Sequence, residues 1–127
     1  MFMLDTNVLI ALQKGDQEVA RKLSTLNQES VGISSIVELE FRAGLIRETA
    51  DSRSYQIGHA ILDSVRVYPF DSSAATSGAR LKLLSKNSNK MDTLIAAHAI
   101  AMGRVLVTNN TKDFENIPGL KLDNWAE

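Results

Sequence analysis

The chain has 127 residues, 44% hydrophobic and 23% charged, with no cysteine and a net charge of −1. That length suits a single domain over 1–127 that buries roughly two thirds of its unfolded surface, and the composition excludes extensive disorder. The missing cysteines exclude a disulfide scaffold, a thiol nucleophile and a thiolate zinc site, and the near-balanced charge excludes general polycationic attraction to nucleic acid.

Residues 1–4 form an apolar run that reads as a buried strand ending at Asp5. Asp5, Thr6 and Asn7 are placed to cap a short helix through Val8, Leu9, Ile10 and Leu12 that stops near Gly15. Asp16 starts a second helix with Val19, Ala20, Leu23 and Leu26 on one face. A second strand is expected at 31–33. Ser34 and Ser35 open a helix to Ile46, and 52–64 is a further helix that presents Ile57, Ala60 and Ile61. Val65, Val67 and Tyr68 read as a third strand, cut by Pro69. A helix over 72–86 shows Ala75, Ala79 and Leu83, and 91–103 is a helix apolar almost all round, hence deeply packed. RVLVT at 104–108 is the clearest buried strand, and 120–122 a last short one. Strands alternating with helices predict an α/β sandwich, a central and mainly parallel sheet flanked by helices. In such sheets the reactive edge lies at the carboxyl ends of the strands.

Glycine-rich phosphate loops, the GxSxG elbow and the HExxH spacing are all absent. No basic residue precedes Lys14, and the uncharged stretch at 93–103 falls well short of the ~20 residues that cross a bilayer, so a cytoplasmic protein with no membrane association is expected. His98, four residues after Leu94 and four before Met102, reads as a packed core histidine, and His59 is assigned no role.

Four carboxylates are informative together. Asp5 has a local explanation as an N-cap. Glu38 has two, a capping box with Ser35 and a surface pair with Arg42. Glu40 has neither. It falls on or beside the stripe of Ile33, Val37, Phe41 and Leu45, where an unpaired carboxylate requires a cation or a proton. Asp92 starts the apolar helix and is turned toward the sheet, and Asp113 follows the VTNN segment. Two bare carboxylates about 4 Å apart repel by about 4 kcal/mol at an effective dielectric of 20, against a total stability of only about 5–15 kcal/mol. If these acids converge, protons or a hard divalent ion must neutralise them, and oxygen-only donors select Mg²⁺ or Mn²⁺.

The segments FMLDTNVLI at 2–10, SSIVELEFRAG at 34–44, MDTLIAAHA at 91–99 and LVTNNTKDFENIPGLKLDNW at 106–125 resemble the PIN domain, most closely the VapC-type toxins of bacterial toxin–antitoxin pairs. The likeness spans nearly the whole chain. It implies a PIN-like three-layer sandwich and a metal-dependent endoribonuclease that hydrolyses a phosphodiester in a structured RNA such as tRNA. It further implies a cognate antitoxin and a homodimer. By the same resemblance Asp5, Glu40 and Asp92 hold Mg²⁺ or Mn²⁺. The family's usual fourth acid, two residues past the strand threonine, is replaced here by Asn110, which passes that role to Asp113 or leaves it vacant. Thr6, Asn7, Thr108 and Asn110 become supporting polar positions. Arg42, Arg80, Lys82, Lys86 and Lys90 are candidate guides for an RNA backbone, although most read as solvated helix faces. Trp125 is expected to anchor the C-terminus. Beside a deoxyribonuclease or flap nuclease, which shares the acids but needs extra DNA-gripping segments not expected at this length, two further rivals stand. One is a phosphorylated signalling receiver, for which Asp71 reads instead as an N-cap. The other is a catalytically weak scaffold that only binds a partner, motivated by Asn110.

Overall fold

The computed structural model describes residues 1–84 and 90–126. Five short strands, β1 (Phe2–Leu4), β2 (Val31–Ser34), β3 (Arg66–Tyr68), β4 (Val105–Val107) and β5 (Leu122–Asp123), form one sheet in the order β3-β2-β1-β4-β5. Every neighbouring pair is parallel. Six helices flank the sheet: α1 (Thr6–Gln13), α2 (Gln17–Ser24), α3 (Ser35–Ile46), α4 (Arg53–Ser64), α5 (Ser72–Leu84) and α6 (Lys90–Ala101). This is the expected α/β sandwich. Two short 3₁₀ turns, Gln28–Ser30 and Thr111–Asp113, were not foreseen, and the last strand sits slightly later than its apolar signal suggested.

The parallel sheet is covered on both faces, which is why its strands are apolar runs rather than alternating ones. Met3, Leu4, Ile33, Leu106 and Val107 are all buried. Gly32 is small for a local reason. The Tyr68 ring crosses it so closely that an added Cβ would lie 2.3 Å from Cε2. That passage carries the Tyr68 hydroxyl to within 3.0 Å of the Arg104 guanidinium, which also sits 4.6 Å over the ring. Trp125, 2% exposed, meets Phe2 edge-on at 5.3 Å and donates its indole N–H to Asp123, so it does anchor the C-terminal segment.

Several stripe assignments change. On α5 the buried positions are Ala74, Gly78 and Leu81, whereas Ala75 and Ala79 are exposed, and the Leu83 side chain lies outside the described residues. Ala20 and Ala60 likewise face solvent. Alanine is small enough for either face, so it marks a stripe poorly. His98 is buried as expected, with Nδ1 2.8 Å from Ser34 Oγ and its ring edge-on to Phe70. No described helix is long and apolar enough to cross a membrane.

Candidate active site

The carboxyl ends of β1, β2 and β4 point the chain toward one place. Asp5 extends the β1 ladder by one residue, its N–H donating to the Val107 carbonyl at 2.8 Å, and then caps α1. One carboxylate oxygen accepts the Thr6 amide at 2.8 Å and the other accepts the Thr108 hydroxyl at 2.9 Å. Asp5 is only 6% exposed. Burial pushes its pKa up, the Thr108 and Thr6 hydrogen bonds oppose this, and the charges of Glu40 and Asp113 add to the rise, which prevails.

Glu40 stands beside the buried stripe of Val37, Phe41 and Leu45, half-buried. It is not the unpartnered group the stripe argument implied, because the Thr6 hydroxyl donates to its Oε1 at 2.6 Å. Thr6 thus ties Asp5 to Glu40 through one residue, by its amide and its hydroxyl. Glu38 pairs with Arg42 at 2.9 Å as expected, but the capping box fails. Ser34, not Ser35, caps α3 by accepting the Ile36 amide, and the Ser35 hydroxyl accepts the Phe70 amide instead. With two serines in succession, local spacing could not choose between them, and the following β3 connection did.

Asp92 lies in the first turn of α6 and is part-exposed. Its pKa is pushed up to about 6, first by burial and then by the charges of Asp5, Asp113 and Glu40. Asp113, exposed in the 3₁₀ turn, accepts a hydrogen bond from the Asn110 amide group. Asp5 and Asp92 therefore each lie within electrostatic reach of the other acids of the predicted set, and Asn110 stays in the cluster as the donor that orients Asp113.

The supporting positions form one network. Thr108 is fully buried and accepts from the Asn110 backbone N–H at 3.1 Å and from the Asn7 side-chain amide at 3.3 Å, while its own proton goes to Asp5. Asn7 accepts the Asn109 N–H at 3.1 Å. Asn109 carries the one buried side-chain polar atom without a partner among the described residues, its Oδ1. Of the basic candidates, Arg42 is taken up by Glu38, Arg80 and Lys82 are exposed on α5, and Lys86 and the Lys90 side chain lie outside the described residues. Asp71 caps α5 by accepting the Ala74 amide, which accounts for it without a phosphoacceptor role.

Among the described residues, no lysine or arginine forms an ion pair with any of the four acids. Nor do any three carboxylate or imidazole side chains stand close enough to chelate one ion directly. The acid set has oxygen-only donors, which suits a hard divalent cation, although no three of the described acids reach one ion directly. Such an ion keeps several waters and is held by one or two carboxylates together with the phosphate it acts on, not by a closed protein cage. Burial first, and then the negative charge of Asp5, Asp113 and Glu40, raises Asp92.

The PIN domain family model matches residues 2–120. A tRNA(fMet)-specific endonuclease VapC of Salmonella typhimurium is 35% identical over 129 residues, covering 98% of each chain. A ribonuclease VapC2 of Rickettsia felis is 30% identical over 131 residues with the same coverage. Among solved structures, VapBC2 from Rickettsia felis bound to a promoter DNA fragment superposes with a TM-score of 0.89 at 29% identity, over 98% of both chains. The DNA-bound VapBC of Salmonella typhimurium does so at 0.88 and 32%, over 98% of this chain and 97% of that one.

Proposed function

The chain belongs to the PIN domain family, and from that premise we propose that it is a divalent-metal-dependent endoribonuclease toxin. The observation that carries this reading is the convergence of Asp5, Glu40, Asp92 and Asp113 with no basic partner among the described residues, where burial and then the neighbouring charges lift Asp92 to about 6. In the scheme Asp5 and Asp92 would hold Mg²⁺ or Mn²⁺, with Glu40 reaching the ion through a bound water, since no three described acids meet at one point. When bound, such a cation would supply a lowered pKa for a bound water and offset charge on the phosphoryl oxygens.

The chain's own residues supply order. Thr108 and the Thr6 amide pin the two oxygens of Asp5, so its carboxylate is fixed before substrate arrives. The Thr6 hydroxyl holds Glu40 Oε1, which leaves Oε2 to accept the proton of the attacking water. Asp113, oriented by Asn110, stands at the exposed rim and takes the place of the fourth acid.

The substrate is a structured RNA, tRNA foremost, in keeping with the tRNA(fMet)-specific endonuclease at 35% identity. The protein acts in the cytoplasm as a homodimer restrained by a cognate antitoxin, the last in keeping with the toxin–antitoxin complex from Klebsiella pneumoniae that is 28% identical to it. The test is direct. Partner-free protein is incubated with total bacterial RNA and Mg²⁺ or Mn²⁺, and new 5′ ends are mapped beside Asp5→Ala and chelator controls. Discrete cleavage that requires both metal and Asp5 is expected. Equal cleavage by the variant, or none by either, would replace this reading with the partner-binding scaffold.

A further inference from the structure

Between α1 and α3 lies a hollow of about 220 Å³ lined by Ile10, Lys14, Glu40, Gly44 and Glu48, among others. A second hollow, over Asn7, Ile10, Lys14 and Asp16, shares two of those residues. The two join along the exposed edge of α1, and each begins at a residue of the acid cluster, Glu40 or Asn7. Seven residues separate Asn7 from Lys14, about 10 Å along the helix, so the trough leads away from the acids by roughly that distance.

Two features of the trough have no explanation in the fold itself. The first is Gly44, one turn beyond Glu40 in the last turn of α3, three residues before the C-cap Arg47. A glycine there is a poorer helix former than alanine. Gly44 has no positive φ, and an added Cβ would meet nothing within 4 Å. The contrast with Gly58 is plain, where an added Cβ would lie 2.4 Å from Leu45. The second feature is Lys14, which is exposed and makes no ion pair or side-chain hydrogen bond with a described residue. The left-handed turn at Gly15, φ +90, closes α1 with Gly15 N–H on the Leu12 carbonyl and Asp16 N–H on that of Ala11. That fixes Lys14 at the helix end. A cation suits a helix C-terminus, but this alone does not account for a bare glycine facing the same hollow.

We propose that the α1–α3 trough seats the RNA strand next to the cleaved phosphodiester, with Lys14 gripping a backbone phosphate and Gly44 left bare so that the backbone can pass close to α3. The proposal rests on the nuclease reading above. A phosphodiester at the acids continues into a chain of further phosphates, and Lys14 is the basic residue lining the hollow that starts at Glu40. Ile10, 38% exposed between the two hollows, offers an apolar patch for a base. Glu48, across the trough, is held by the Gln13 amide at 3.2 Å.

The test uses the RNA that carries the strongest mapped cleavage site, transcribed in vitro, with full-length wild type, Lys14→Ala, Lys14→Arg and Gly44→Ala. Lys14→Ala is expected to raise KM about fivefold at low salt with kcat within twofold. It should also make the fall of log(kcat/KM) with log[salt] shallower by about 0.7, the signature of one lost phosphate contact on a single strand, and Lys14→Arg should restore both. Gly44→Ala should melt at a higher temperature than wild type yet lose kcat/KM several-fold, a pairing that a purely structural glycine cannot give. Wild-type cleavage with unchanged KM and salt slope in Lys14→Ala overturns the proposal, as does full activity in Gly44→Ala. If those variants instead lose affinity for a co-expressed protein partner, the trough seats a protein segment and the RNA assignment is wrong. An inactive wild type defeats the nuclease reading first, and this one with it.

Discussion

Asp92→Asn should make the metal-free protein more stable at neutral pH while removing its activity. In the native state Asp92 binds its proton up to about pH 6, against 3.8 for an ordinary aspartate. A folded pKa above the unfolded one means that stability is fully present below 3.8 and is lost as pH rises through about 6. A rise of roughly two units, at about 1.4 kcal/mol each, sets a ceiling near 3 kcal/mol. Asp92 is part-exposed, so solvent screening reduces this to about 1–2 kcal/mol. Asparagine has the same shape and no charge, and it escapes both the burial cost and the repulsion from Asp5, Asp113 and Glu40. Urea melts in the presence of chelator, at pH values from 4 to 8, should show wild type and variant converging at the acid end. The variant should pull ahead by about 1–2 kcal/mol above pH 7. Adding Mg²⁺ should stabilise wild type more than the variant and shrink that gap. A variant no more stable than wild type at pH 8, or one with the same advantage at pH 4, would refute the electrostatic account of the cluster.

Three further outcomes are expected. Thr108→Val keeps the shape but removes the donor to Asp5. It should cost about 1–3 kcal/mol and move the acid limb of the cleavage pH profile upward, since the Thr108 bond holds the Asp5 pKa down. An unmoved limb would show that Asp5 does not titrate with the reaction. Glu38→Gln should change stability by less than about 0.5 kcal/mol and leave cleavage intact, because its partner Arg42 is an exposed surface residue. A cleavage defect there would mean that the wrong glutamate has been placed at the site. Gly32→Ala should destabilise by about 1–3 kcal/mol by forcing the Tyr68 ring off its course to Arg104, with kcat unchanged in the folded fraction. A melting temperature equal to wild type would show that the ring can yield freely.

The carboxylates were legible in the sequence for different reasons. Glu40 stood out because its environment offered no local role, in contrast to Glu38 three residues after a serine and four before an arginine. Its hydrogen-bond partner, Thr6, was not legible. The Thr6–Glu40 bond joins residues 34 apart in the chain, and nothing in local spacing announces such a bond. Thr108 was read only as a supporting position, yet it is the hub of the network, touching Asp5, Asn7 and the Asn110 backbone. That role depends on the pairing of β1 with β4, which brings positions 5 and 108 together. The strand and helix order was readable because long apolar runs and turn residues are local signals. Which face of α5 is buried was not, because alanines and serines carry too little contrast in size and polarity to define a stripe. Lys14 drew no attention for a similar reason, since a lysine ending an amphipathic helix is the ordinary solvated case.

The sheet order has a consequence for synthesis. Although β1 is made first, it lies at the centre of the sheet, and one of its two neighbours, β4, comes about a hundred residues later. Asp5 thus waits, without Thr108 and without burial, until nearly the whole chain has emerged. At about 5–20 residues per second that interval lasts several seconds. During it Glu40 and Asp92 join the chain, but Asp5 still lacks the β4 pairing and the Thr108 bond that fix its carboxylate. The acid cluster is therefore among the last features of the fold to be completed, and a chain that stops short of β4 lacks the contacts that hold Asp5 in place.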